Sequence, residues 1–222
     1  MRSGEGLPVK YGFTGHETFP FRYTWLPKGI GALPEHPDLF GRDDALVTLG
    51  VGKNMVKSMR HWCTATGTVE RLDRKGRMKV TDLGRSLFGD GGWDPFLEDP
   101  GTLWLLHWRL VSRPNPASTW HLAFTRWRTD RFVREELVEW LSGFARRVSG
   151  SRPTPSSLRR DVDVFIRTYA PAQAKRERPV EDTFDCPLVE LGLLIETERG
   201  VYRFARGPKP TLPDGIFASA LI

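Results

Sequence analysis

Histidine, carboxylate and thiol groups that could do covalent or metal chemistry fall in three places along this 222-residue chain. His16 stands beside Glu17, Asp161 lies two residues from Asp163, and Asp182 and Asp185 precede Cys186. A histidine with a carboxylate could serve as a general base or hold a metal. Adjacent residues on an extended chain point to opposite sides, however, so His16 and Glu17 would need further ligands, and none lies nearby in sequence. They are expected to hydrogen-bond a turn while Phe13, Phe19 and Phe21 pack around it. Asp161 and Asp163 fall in a helical stretch, where a spacing of two turns them in different directions and argues against a two-carboxylate metal site. Asp182 and Asp185 suit the start of a helix, Cys186 precedes a proline, and no base is placed beside any nucleophile. Cys63 and Cys186 sit in neither a Cys-x-x-Cys nor a Cys/His ligand spacing. The expectation is a protein with no catalytic residues, no metal and no cofactor.

Charge says more. From Lys53 to Lys79 there are eight basic residues against two acidic ones, a net +6 that equals the charge of the whole chain. Charge gathered on one helix and the hairpin after it is the electrostatic footprint of a nucleic-acid binder. The expected DNA contacts are Lys53, Asn54, Lys57, Ser58 and His61 in the groove, with Arg60, Arg74, Lys75 and Arg77 on the backbone.

The elements that must position these residues begin with Ala45 to Trp62, ALVTLGVGKNMVKSMRHW, which has the form of a helix-turn-helix with Gly50 at the turn. Met55, Val56, Met59, Trp62 and Cys63 recur at helical spacing and line one face, leaving Lys53, Lys57, Arg60, His61 and Thr64 outward. Leu46 is a departure, because close helix crossing four residues before the glycine favours a small side chain and Ala45 lies one position off. Thr68 to Leu72, a DRKG turn and Arg77 to Val80 form a hairpin, and Thr81 caps the helix that follows. Helix, helix, basic hairpin and helix is the order of a winged helix.

Ahead of this module, Tyr11 to Arg22 is an aromatic arm, followed by a short helix that Thr24 caps. Beyond it, Thr102 to Val111 is apolar nearly all round and forms a buried helix in which His107 is a core residue. Trp120 to Trp127 and Arg134 to Val148 add two more helices, the second with Leu137, Val138, Leu141, Phe144, Ala145 and Val148 inward. After the loop SGSRPTP, a helix capped by Ser156 or Ser157 buries Leu158, Val162, Phe165, Ile166 and Tyr169. The segment ELGLLIETERGVYRF repeats the plan of ATGTVERLDRKGRMKV with an acidic first strand. The fold class is mainly α (α+β): an arm and winged-helix domain over 1–92, a connecting helical region over 93–155, and a second winged-helix-like module over 156–222. GIFASALI ends in the middle of an apolar run, which suggests a truncated chain or a helix completed by another element.

Charged residues at 27% and hydrophobic ones at 39% place the chain among ordinary globular proteins. No apolar run could serve as a signal peptide or a membrane span, so a cytoplasmic protein is expected.

The motifs GHETFPFRYTWLPKG, LGVGKNMVKSMRHW, DPGTLWLLHW and EDTFDCPLVELGLL together resemble an uncharacterised bacterial family, a domain of unknown function, over most of the chain from Gly15 to about Phe217. Members of that family occur in phage-defence gene clusters beside DNA phosphorothioation genes and a reductase-like sulfur-transfer enzyme. The resemblance implies a DNA-directed role in defence, on plain or phosphorothioate-modified duplex DNA and with a protein partner from the same system. The alternative is an adaptor whose winged helices dock a sulfur-transfer enzyme or nuclease.

Overall fold

A computed structural model describes residues 9–148, 153–171 and 186–221. Aromatic side chains crowd the arm, and Phe13 and Phe21 are buried with Phe19 packed against the same core. Helix α1 (Trp25–Ala32) follows, with Thr24 at its N-cap position but making no side-chain cap bond. Helix α2 (Ala45–Leu49) has a single turn to bury, and Ala45 and Leu49 do so while Leu46 is 42% exposed. The small residue at the helix crossing is thus Ala45, which removes the difficulty that Leu46 posed. Gly50 ends α2 in the left-handed region at φ 65°, a conformation that costs glycine little.

Helix α3 (Lys53–Ala65) then buries Val56, Met59, Trp62 and Cys63 as its periodicity demands. Strands β1 (Val69–Arg71) and β2 (Met78–Val80) pair antiparallel, Val69 opposite Val80. The Met78 N–H donates to the Pro37 carbonyl at 2.7 Å, so the outer edge of β2 carries one rung from the segment between α1 and α2. Thr81 accepts from Gly84 N and starts α4 (Asp82–Phe88) as expected.

Helices α5 (Pro100–Val111) and α6 (Ser118–Thr125) lead to β3 (Arg131–Val133), α7 (Arg134–Val148) and α8 (Pro155–Tyr169). Two expectations are corrected here. Val148 is exposed, because α7 has left the core by its last turn. The cap of α8 is Thr154, which accepts from Ser157 N ahead of Pro155, rather than Ser156 or Ser157. After a 3-10 helix over Pro187–Leu191, β4 (Leu194–Glu198) and β5 (Val201–Phe204) form the expected hairpin, and α9 (Asp214–Ser219) follows.

Strand β3 joins that hairpin, giving a three-stranded antiparallel sheet in the order β3-β5-β4. The region expected to be a helical connector therefore donates an edge strand to the last module. The result is a mixed α+β protein with, among the described residues, two small antiparallel sheets and one hydrophobic cluster running from Phe13 to Leu194. Among the described residues no helix is long and apolar enough to cross a membrane.

Candidate nucleic-acid interface

Helix α3 is amphipathic because its apolar positions recur every three or four residues, and the same period sets what remains outside. Lys53, Asn54 and Lys57 are exposed, and Arg60 and Thr64 are half-buried. Lys53, Lys57, Arg60 and Thr64 fall at i, i+4, i+7 and i+11, one stripe along the helix. Lys57 forms a loose ion pair with Glu17, at 3.7 Å.

Two expected groove contacts are withdrawn. Ser58 is fully buried and its hydroxyl donates to the His16 carbonyl at 2.8 Å, while His61 is 8% exposed. The arm lies over that flank of α3 and takes both side chains out of solvent. The backbone contacts fare differently. Arg74 and Lys75 stand exposed at the hairpin tip. Arg77 is exposed too, but its guanidinium holds Asp73 at 2.7 Å, and this hydrogen bond keeps the Asp73 carboxyl below the usual carboxylate range. Lys79 pairs with Glu70 across the strands at 2.9 Å.

The arm itself is organised around His16. Glu17 and Thr18 both take positive φ, 47° and 72°, a conformation uncommon for residues with a Cβ. This tight turn swings His16 inward and Glu17 outward. Thr18 N donates to His16 Nδ1 at 3.2 Å, so Nε2 carries the hydrogen and donates to Asp161 Oδ1 at 2.6 Å. The Thr119 hydroxyl donates to the other Asp161 oxygen. Burial pushes the Asp161 carboxyl up, and the bonds from His16 and Thr119 oppose that push. Every polar side-chain atom of His16 and Asp161 is thereby engaged in holding the arm between α3, α6 and α8. Asp163 points elsewhere, to Arg134 at 3.1 Å, as the two-residue spacing requires.

His61 completes this core, its ring 5.8 Å from that of His16. Its Nε2 has no hydrogen-bond partner among the described residues. Burial, and then the nearby His16, bring its pKa down from 6.5 to about 3. The unfolded chain takes up this proton near the ordinary value and the folded chain only near the depressed one. Stability is therefore whole above the ordinary value and falls by about 1.4 kcal/mol per pH unit as the solution is acidified towards the depressed one. Urea titrations at pH 7 and pH 5 should differ by about 2 kcal/mol on account of this residue. His61→Leu should remove that difference and, by deleting an orphaned nitrogen, leave stability at pH 7 within about 1 kcal/mol. An unchanged acid slope in His61→Leu would assign the pH dependence to other groups.

Among the described residues no group of three His, Cys, Asp or Glu side chains could hold a metal ion. Asp182 and Asp185 lie outside the described residues, and Cys186 is buried.

The family described as "Protein of unknown function (DUF4007)" matches residues 13–222. No curated protein matches the chain. Two solved structures are similar to it. The SspB crystal structure is 34% identical, with a TM-score of 0.86 over 95% of this chain and 64% of that one. The magnesium ion-bound SspB crystal structure is 33% identical, with a TM-score of 0.85 over the same shares. The chain thus spans under two thirds of the length of the SspB chains it matches.

Proposed function

The chain belongs to the DUF4007 family, and from that premise we propose that it is a non-enzymatic, duplex-DNA-binding component of a bacterial DNA-modification or phage-defence system. The reading head is a winged helix made of α1 to α4 with the β1–β2 hairpin. Its support is the order of these elements and the Pro37 rung on β2, which stands where such modules carry their first strand. The order α6, β3, α7, α8, β4, β5, with the sheet order β3-β5-β4, supports a second module of the same kind.

The observation that carries the reading is the stripe on α3 of exposed Lys53 and Lys57 with half-buried Arg60, beside exposed Arg74 and Lys75 at the hairpin tip. Helix α3 lies in the major groove with Lys53, Asn54 and Lys57 towards the bases, and the hairpin grips phosphates. Phosphate contacts fix register while base contacts specify, so the hairpin contributes affinity rather than selectivity. Phosphorothioate-modified duplex and a protein from the same system are the proposed partners, on the family resemblance of the four motifs.

The test is fluorescence anisotropy with plain and phosphorothioate duplexes over a range of salt. With four to six side chains neutralising phosphates, the log-log slope should be roughly −4 to −5. Binding that ignores salt would overturn the reading. Magnesium-dependent cleavage of DNA by the purified chain, abolished by Asp185→Ala, would overturn its non-enzymatic part.

An adaptor role is the second reading. What favours it is the exposure of Trp93 and Phe96, 77% and 72%, since large exposed aromatic side chains close in sequence mark docking surfaces more often than scattered single ones do. Failure of both duplexes to bind would bring that reading forward.

A further inference from the structure

A cleft of about 580 Å³ opens at the foot of the β1–β2 hairpin, between it and the end of α5. Arg109, in the last turn of α5, and Arg113, just beyond it, both reach into this space. Their tips converge on Gly67, whose φ is 72°. A Cβ built there would sit 2.6 Å from Arg113 Nη1 and 2.7 Å from Arg109 Nη2. Two guanidiniums thus lie side by side over a backbone position where any side chain would push them apart.

Neither arginine has an acidic partner among the described residues, and Arg109 Nε is buried without a hydrogen bond. The two carboxylates at the rim are already held, Glu70 by Lys79 at 2.9 Å and Asp82 by Arg85. The negative end of the α5 dipole eases the charge on Arg109 but gives its Nε no acceptor. Burial, and then Arg113, lower the pKa of Arg109, as expected where two like charges share a site without an anion. Arg71, on β1, adds a further cation to a lining that also includes the paired Lys79 and Arg85.

We propose that this cleft is an oxyanion site that takes a phosphate group, with Arg109 and Arg113 as its paired donors. Planar guanidiniums suit that ligand because each can present two parallel N–H groups to tetrahedral oxygens. The position of the cleft names the phosphate. Thr64, the half-buried last residue of the α3 stripe, is part of its wall. The stripe from Lys53 to Thr64 is about 16 Å long at the helical rise, and the major groove is about 12 Å wide. A groove that admits α3 therefore brings a phosphate of one flanking strand to the cleft. This last step rests on the duplex-DNA reading; the anion site does not.

The experiment uses the full chain with two probes, pyrophosphate by calorimetry and a duplex by anisotropy over a range of salt. Arg113→Gln is compared with the Arg109→Gln, Arg113→Gln double variant, both checked for native circular dichroism. The single variant should weaken pyrophosphate binding on the order of tenfold and the double variant abolish it. The duplex salt slope should become shallower by about one and about two respectively. Lys53→Glu with Lys57→Glu should keep pyrophosphate binding, which separates failure of the duplex reading from failure of this site. Loss of pyrophosphate binding with an unchanged duplex slope would keep the site and make its ligand a free phosphate compound. A shallower slope without measurable pyrophosphate binding would assign it to the DNA backbone alone. Equal behaviour of wild type and variants with both probes, whether both bind or neither does, overturns the proposal.

Discussion

Lys53→Glu combined with Lys57→Glu should weaken duplex binding on the order of a hundredfold and make the salt slope shallower by about two, because two groove-facing cations become anions that the duplex repels. The fold should not notice. Both side chains are exposed, and the ion pair that breaks, Lys57 with Glu17 at 3.7 Å, is a loose one. Exposed pairs of that kind are worth about 0–1 kcal/mol. Anisotropy at two salt concentrations, with thermal melts of both proteins, checks the expectation. Affinity within threefold of wild type would remove α3 from the groove. Ser58→Ala provides the opposite control. It should leave affinity close to wild type and cost about 1–2 kcal/mol of stability, since the hydroxyl serves the His16 carbonyl and not the DNA.

Asp161→Ala should cost the most stability of any of these single changes, about 3–5 kcal/mol, because it strips two buried donors of their acceptor at once. His16 Nε2 and the Thr119 hydroxyl both point at this carboxylate, which is 1% exposed. Alanine leaves a cavity that also holds two unsatisfied polar groups. Asp161→Asn should cost less, since its carbonyl still accepts from His16 while its amide requires Thr119 to turn its hydroxyl round. Urea denaturation at neutral pH gives both numbers. If Asp161→Ala is as stable as wild type, the arm is held by its aromatic side chains alone.

Much of the module from α1 to α4 was legible because its signals are local. The apolar spacing of α3, the left-handed glycine before it, the DRKG turn and the Thr81 cap each follow from a few neighbouring residues. The second hairpin, around Gly200, was legible for the same reason. What escaped depends on distant partners. Strand β3 has three residues, too few to show a period, and exists because β5 offers Arg203, Tyr202 and Val201 to pair with Arg131, Phe132 and Val133. Ser58 and His61 border the apolar stripe of α3, and only the arm folded over that flank decides that they are buried. The partner of His16 could not be found by spacing at all, because 145 residues separate it from Asp161. The cleft at Arg109 and Arg113 was missed because two arginines at a helix end look solvent-exposed until Gly67 is brought beneath them.

The bond between His16 and Asp161 also sets a timetable for synthesis. At ribosomal rates of about 5–20 residues per second, on the order of ten seconds pass between the appearance of the histidine and that of its carboxylate partner. During that interval α3 and the β1–β2 hairpin can already form from local contacts, but the arm that seats α3 has nowhere to anchor. A nascent chain halted before α8 would therefore carry an α3 whose position is still loose, and its exposed face becomes fixed only when the later half of the protein has been made.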